Sequence, residues 1–167
     1  MKKNIFVAVL FSIVALVSFS SCETDHYYWD RGRLDYVAEL RVPTNNTFQT
    51  SFRIYENDIR LRGYDRYVEI HDLKFISGYS DIYVYTTGYI DWMDLRVDGT
   101  NAVLQYDIIY LGYPVQDETE KAQYFLNAMT EQIRRYGYAT IIVEGKGKMN
   151  SDYDIEIGVD LDIYIRD

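Results

Sequence analysis

Few side chains in this sequence are of the kinds that do covalent or acid–base chemistry. Cys22 is the only cysteine, and His26 and His71 are the only histidines, among 167 residues. A histidine works as a base beside a serine or thiol nucleophile, yet the sequence holds no Gly-x-Ser-x-Gly elbow to partner one. His71, between Ile70 and Asp72 in a strand-like run, therefore reads as a hydrogen-bonded strand residue. Zinc chemistry fails on ligand count, since neither a His-x-x-x-His pair nor a cysteine cluster is present. Gly145-Lys146-Gly147-Lys148 lacks the longer glycine spacing and the following helix of a phosphate-binding loop, and reads as a hairpin turn.

Carboxylates are abundant, at 26, but abundance alone assigns no role. A glycosidase needs two acids facing each other across a cleft. Asp152, Asp154 and Glu156 alternate near Asn150, and Asp91, Asp94 and Asp98 cluster near a turn. Neither set has the loop spacing of an EF-hand, so solvated acidic faces are expected, with no metal and no other cofactor.

Aromatic residues carry the stronger functional lead. Tyrosine occurs 18 times, and in the run Asp81 to Tyr85 the pair Ile82 and Val84 alternates with Tyr83 and Tyr85. If the aliphatic pair points into a core, the tyrosines face out, with Tyr89 and Trp92 following nearby. Tyr83, Tyr85 and Trp92 are expected on one exposed surface, a flat platform for sugar rings or for a protein partner. The competing expectation is that the tyrosines are cross-strand pairs that stabilise a sheet.

The first 22 residues set the location of these groups. Lys2 and Lys3 precede an apolar run from Ile5 to Val17, and Ser18, Ser20 and Ser21 lead into Cys22. A basic start, a short apolar stretch and a small-residue exit make a secretory signal peptide, too short for a comfortable permanent span. The placement of Cys22 resembles the lipobox of bacterial lipoproteins, with Phe19 where leucine is usual. That resemblance implies cleavage before Cys22 and acylation of its thiol, so residues 1–21 are lost and the chain is anchored to a membrane. Residues 22–33 read as a tether without periodicity, and Glu23 and Asp25 resemble the acidic surface-export signal of Bacteroidota lipoproteins. The resemblance thus implies an exported protein anchored to the outer membrane, on its periplasmic or cell-surface side.

Without residues 1–21, 15 basic side chains face 26 acidic ones, a net charge of −11. Such a balance argues against nucleic acid, and against adsorption of the domain to anionic headgroups, because both need a positive field. Charge is also uneven, with eight basic and seven acidic groups in residues 31–74 but only Arg96 against eight acidic groups in residues 75–120. Pairing between an arginine-bearing first half and an acidic second half is expected across strands.

The elements that position these groups are mostly strands. Period-two or β-rich runs cover about 34–42, 48–55, 58–64, 67–76, 81–85, 90–97, 102–111, 138–144 and 154–165. The last is the clearest: Ile155, Ile157, Val159, Leu161, Ile163 and Ile165 share one face, and Asp154, Glu156, Asp160, Asp162 and Arg166 the other. One dry and one wet side point to antiparallel pairing. A single helix interrupts the strands from about Glu118 to Tyr136, with Ala122, Phe125, Leu126, Met129 and Ile133 as an apolar stripe. Asp117 with Glu120 reads as its capping box, and Gly137 as its C-terminal cap.

The expected fold is mainly β, an antiparallel two-sheet sandwich over residues 34–167 with one amphipathic helix before the last two strands. This pattern resembles the immunoglobulin-like β-sandwich of many small lipoproteins of gut Bacteroidota; a calycin-type barrel is the alternative. The resemblance has no signature residues and implies no site. The function expected is a non-catalytic, lipid-anchored binding or structural module of the cell envelope, with an envelope protein or a glycan as partner. A carbohydrate-binding lipoprotein using Tyr83, Tyr85, Tyr89 and Trp92 is the alternative, ahead of an extracytoplasmic hydrolase.

Overall fold

The alternation from Ile155 to Ile165 has the consequence its pattern requires: all six aliphatic side chains are at most 1% exposed. They belong to the last strand, β10 (Tyr153–Arg166), which organises one of two sheets. The structure, a computed structural model, describes residues 29–42, 47–61, 70–110, 115–117, 119–147 and 153–166. Cys22, His26, the signal-peptide residues and most of the expected tether lie outside the described residues.

Strand β1 (Asp30–Val42) pairs antiparallel with β10 along its whole length, from Asp30 opposite Ile165 to Val42 opposite Tyr153. It starts at Asp30, so Asp30 to Arg33, expected in the tether, are strand residues. The other side of β10 is divided between two strands. Ile155 to Asp160 pair with β5 (Asp81–Thr86), and Ile163 to Arg166 with β4 (Asp72–Phe75). Residues 76–80 bulge between them, opposite Leu161 and Asp162. There the Ser80 hydroxyl accepts the Asp162 N–H at 2.8 Å, and the Ile76 N–H donates to the Asp162 carbonyl at 3.1 Å. This bulge leaves Asp162 only 6% exposed, so the polar side of β10 is not wet throughout, as alternation alone suggests. β3 (Arg60–Leu61) flanks β1, and the short β8 (Val115–Asp117), which the sequence pattern did not predict, flanks β5.

The second sheet has the order β2 (Thr47–Tyr55), β9 (Tyr138–Gly147), β6 (Ile90–Val97) and β7 (Val103–Ile109), all antiparallel. Leu34, Ile82 and Val84 of the first sheet join Met93, Leu95, Ile141 and Val143 of the second in one core. The chain therefore forms the two-sheet sandwich, and not the closed barrel. Gly145 sits inside β9 and Gly147 ends it opposite Ile90, so neither is in a turn. A β-carbon on Gly145 would lie 2.5 Å from Phe48 Cζ, so the glycine makes room for that ring on the partner strand.

Helix α1 (Glu120–Tyr136) closes the space between the sheets, touching β4 and β5 of the first and β6, β7 and β9 of the second. Phe125, Leu126, Met129 and Ile133 are fully buried, each worth about 1.5–3 kcal/mol of transfer from water. Its N-cap is Thr119, whose hydroxyl accepts the Ala122 N–H at 3.3 Å; Asp117 instead ends β8. Gly137 caps the C-terminus at φ 76°, its N–H donating to the Ile133 carbonyl. No helix among the described residues is long and apolar enough to cross a membrane.

Candidate functional site

On β5, Ile82, Val84 and Thr86 turn inward and are fully buried, which puts Asp81, Tyr83 and Tyr85 on the outer face of the first sheet. The two tyrosines differ in what they do there. Tyr83 stands opposite Gly158 of β10, and a β-carbon on that glycine would lie 1.9 Å from Tyr83 Cε1. The ring thus covers the glycine, and its hydroxyl donates to Glu156 Oε1 at 3.1 Å. Burial, and then the Glu156 carboxylate, push the Tyr83 hydroxyl above its ordinary value. Tyr85 stands opposite Glu156 and borders an open groove of about 410 Å3 that Glu39, Arg41, Asp154 and Glu156 also line.

Carboxylates cross this face in register. Asp35, Asp160 and Asp81 form one row over β1, β10 and β5, and Glu39 stands opposite Glu156 in another. Like charges directly opposite destabilise a sheet. Arg33 offsets the first row by a two-point bond to Asp160, at 3.1 Å from Nε and 2.7 Å from Nη2. That bond holds the Arg33 guanidinium above its usual range. Among the described residues no three His, Cys, Asp or Glu side chains gather as a metal site. Asp91 and Asp94 are committed to their sheet, with Lys146 Nζ 4.0 Å from Asp91 and Gln105 reaching Asp94 at 3.5 Å. Asn150 and Asp152 lie outside the described residues.

Trp92 is not beside the tyrosines. The link between β5 and β6 passes from one sheet to the other, since Thr86 pairs with Ile155 and Ile90 with Gly147. Trp92 therefore lies on the outer face of the second sheet, in register with Lys146 and Asp107 and 37% exposed. Tyr89, within the link, meets the exposed Tyr110 edge to face at 5.5 Å. The single surface expected for Tyr83, Tyr85 and Trp92 is not formed, because a change of sheet separates residues close in sequence. His71 is an exposed residue just before β4, its N–H donating to the Arg166 carbonyl at 2.8 Å. Gly158 is the residue that sequence reasoning passed over. Its signal was a glycine at an outward position of a strand, between the acids Glu156 and Asp160.

No family model and no curated protein matches the sequence. Among solved structures, the chain is similar to the protein in the crystal structure of decameric BFDV capsid protein, at 7% identity and a TM-score of 0.48. That similarity covers 84% of this chain and 100% of the other.

Proposed function

We propose that this chain is a lipid-anchored module of the cell envelope that acts by binding rather than by catalysis. The observation that carries the reading is the distance along the chain from Cys22 to the fold. β1 begins at Asp30, so the residues after Cys22 span about 25 Å at full stretch and hold the sandwich close to its anchor. The basic, apolar and small-residue order of residues 1–21 supports export and acylation. Two or more acyl chains at Cys22 give stable attachment where a single chain is marginal. Replacing Cys22 by alanine should abolish fatty-acid labelling and move the protein out of the membrane fraction; unchanged fractionation contradicts the anchor.

A glycan is the second reading, favoured by the groove beside Tyr85. An aromatic face stacks on the apolar side of a sugar ring, and Glu39, Arg41, Asp154 and Glu156 present hydrogen-bonding groups to its hydroxyls. In this reading Tyr85 contacts the ligand, and Tyr83 supports the sheet beside it.

A further inference from the structure

The outer face of the first sheet is polarised along its strands. Three residues of β10, among them Asp162 opposite Arg33, separate the acidic row Asp35–Asp160–Asp81 from a row of opposite sign, in which Tyr164 stands between Arg31 and Lys74. Beyond that row, Arg166 lies 3.6 Å from the Asp72 carboxylate, which is also 3.9 Å from Arg134, itself bonded to Glu131 at 2.8 Å. This cationic end is also aromatic. Trp29 is 42% exposed beneath the Arg166 guanidinium, 5.8 Å from its ring centre, and Tyr79, under Arg31, is 68% exposed. Trp29, Lys74 and Tyr164 line a depression of about 210 Å3. The chain enters the fold here, at Trp29 and Asp30.

We propose that this end, built from Trp29, Arg31, Lys74, Tyr164 and Arg166, rests against the phosphate layer of the membrane that holds the chain. The inference rests on the anchor at Cys22. A tether of about 25 Å at full stretch delivers this end of the sandwich to the bilayer before any other. Arginine and lysine meet the lipid phosphates, and tryptophan and tyrosine, apolar at one side and polar at the other, suit the interface. The acidic rows then lie farther along the strands from the bilayer, where anionic lipid repels them less. The net charge of −11 predicts no adsorption, but a field within a Debye length of about 8 Å depends on the local residues.

The chain's two tryptophans make the test internal. β1 ends at Val42, and residues 43–46 lead to Thr47, which pairs with Lys146 beside Trp92. Trp92 thus lies on the other sheet and at the opposite end from Trp29. Lipidated protein beginning at Cys22 and carrying Trp92→Phe or Trp29→Phe is reconstituted in phosphatidylethanolamine–phosphatidylglycerol vesicles with brominated acyl chains. Trp29 should lose most of its emission at low salt and Trp92 almost none, while both proteins float with the vesicles. High salt, or Arg31→Glu with Lys74→Glu, should restore Trp29 emission without releasing the protein. Flotation with Trp29 unquenched, equal quenching of both tryptophans, or quenching indifferent to salt overturns the docking and leaves the anchor standing. Failure to float at all overturns both. The salt series on the wild-type surface decides the matter if the charge-reversed variant does not fold.

Discussion

The ring of Tyr83 lies across Gly158 of the neighbouring strand, where a β-carbon would come within 1.9 Å of the ring. The contact explains why a glycine, with its conformational entropy penalty, is found in the middle of the longest strand. It also decides which of the two exposed-face tyrosines is free to meet a ligand. Gly158→Ala should displace the ring and destabilise the domain by about 1–2 kcal/mol. In a Tyr83→Ala background the same change should become neutral or stabilising, by up to about 1 kcal/mol. Urea unfolding of the four proteins in this cycle measures it; additive effects contradict the contact.

Tyr83 also makes stability depend on alkaline pH. Its hydroxyl titrates above the ordinary tyrosine value of 10.0, so the folded state holds the proton more tightly than the unfolded chain does. The contribution is complete below pH 10.0 and is lost as pH rises through the raised folded value. Relative to Tyr83→Phe, the wild type should therefore stay level below pH 10.0 and lose stability as pH rises from there through the raised folded value. Parallel unfolding midpoints across that range check the sign.

Leu161 is fully buried, whereas Asp154 on the same strand is exposed. Leu161→Asp should cost roughly 3 kcal/mol or more, the penalty of an unpaired charge in a core. Asp154→Asn should change stability by no more than about 0.5 kcal/mol. Equal melting temperatures would mean that the facing of β10 is misassigned.

If a glycan occupies the groove, Tyr85→Ser should remove binding to a glycan-array hit while the fold stays nearly as stable. Tyr83→Ser should lower stability by about 1–2 kcal/mol through the lost cross-strand contact. It should change affinity far less than Tyr85→Ser does. Binding that depends on Tyr83 and not on Tyr85 contradicts the division between them.

The parts of the fold legible in the sequence are those where a pattern is local. β10 announces itself through six alternating aliphatics, and α1 through a stripe that ends at Gly137, because periodicity and capping act within a few residues. Contacts between distant segments were not legible. Gly145 looks like a turn residue until Phe48 is seen on the partner strand, and Asp162 looks solvated until the bulge at Ser80 covers it. The tyrosine platform failed for the same reason: alternation assigned Tyr83 and Tyr85 to an outer face, but nothing local reveals that the chain changes sheet before Trp92.

Attachment through Cys22 is open to intact-mass and N-terminal peptide analysis of the protein extracted from its native membrane. The expected protein begins at Cys22, lacks residues 1–21 and carries a thioether-linked diacylglyceryl group on its thiol. A chain that retains Met1, or a mature chain with an unmodified Cys22 thiol, would contradict it.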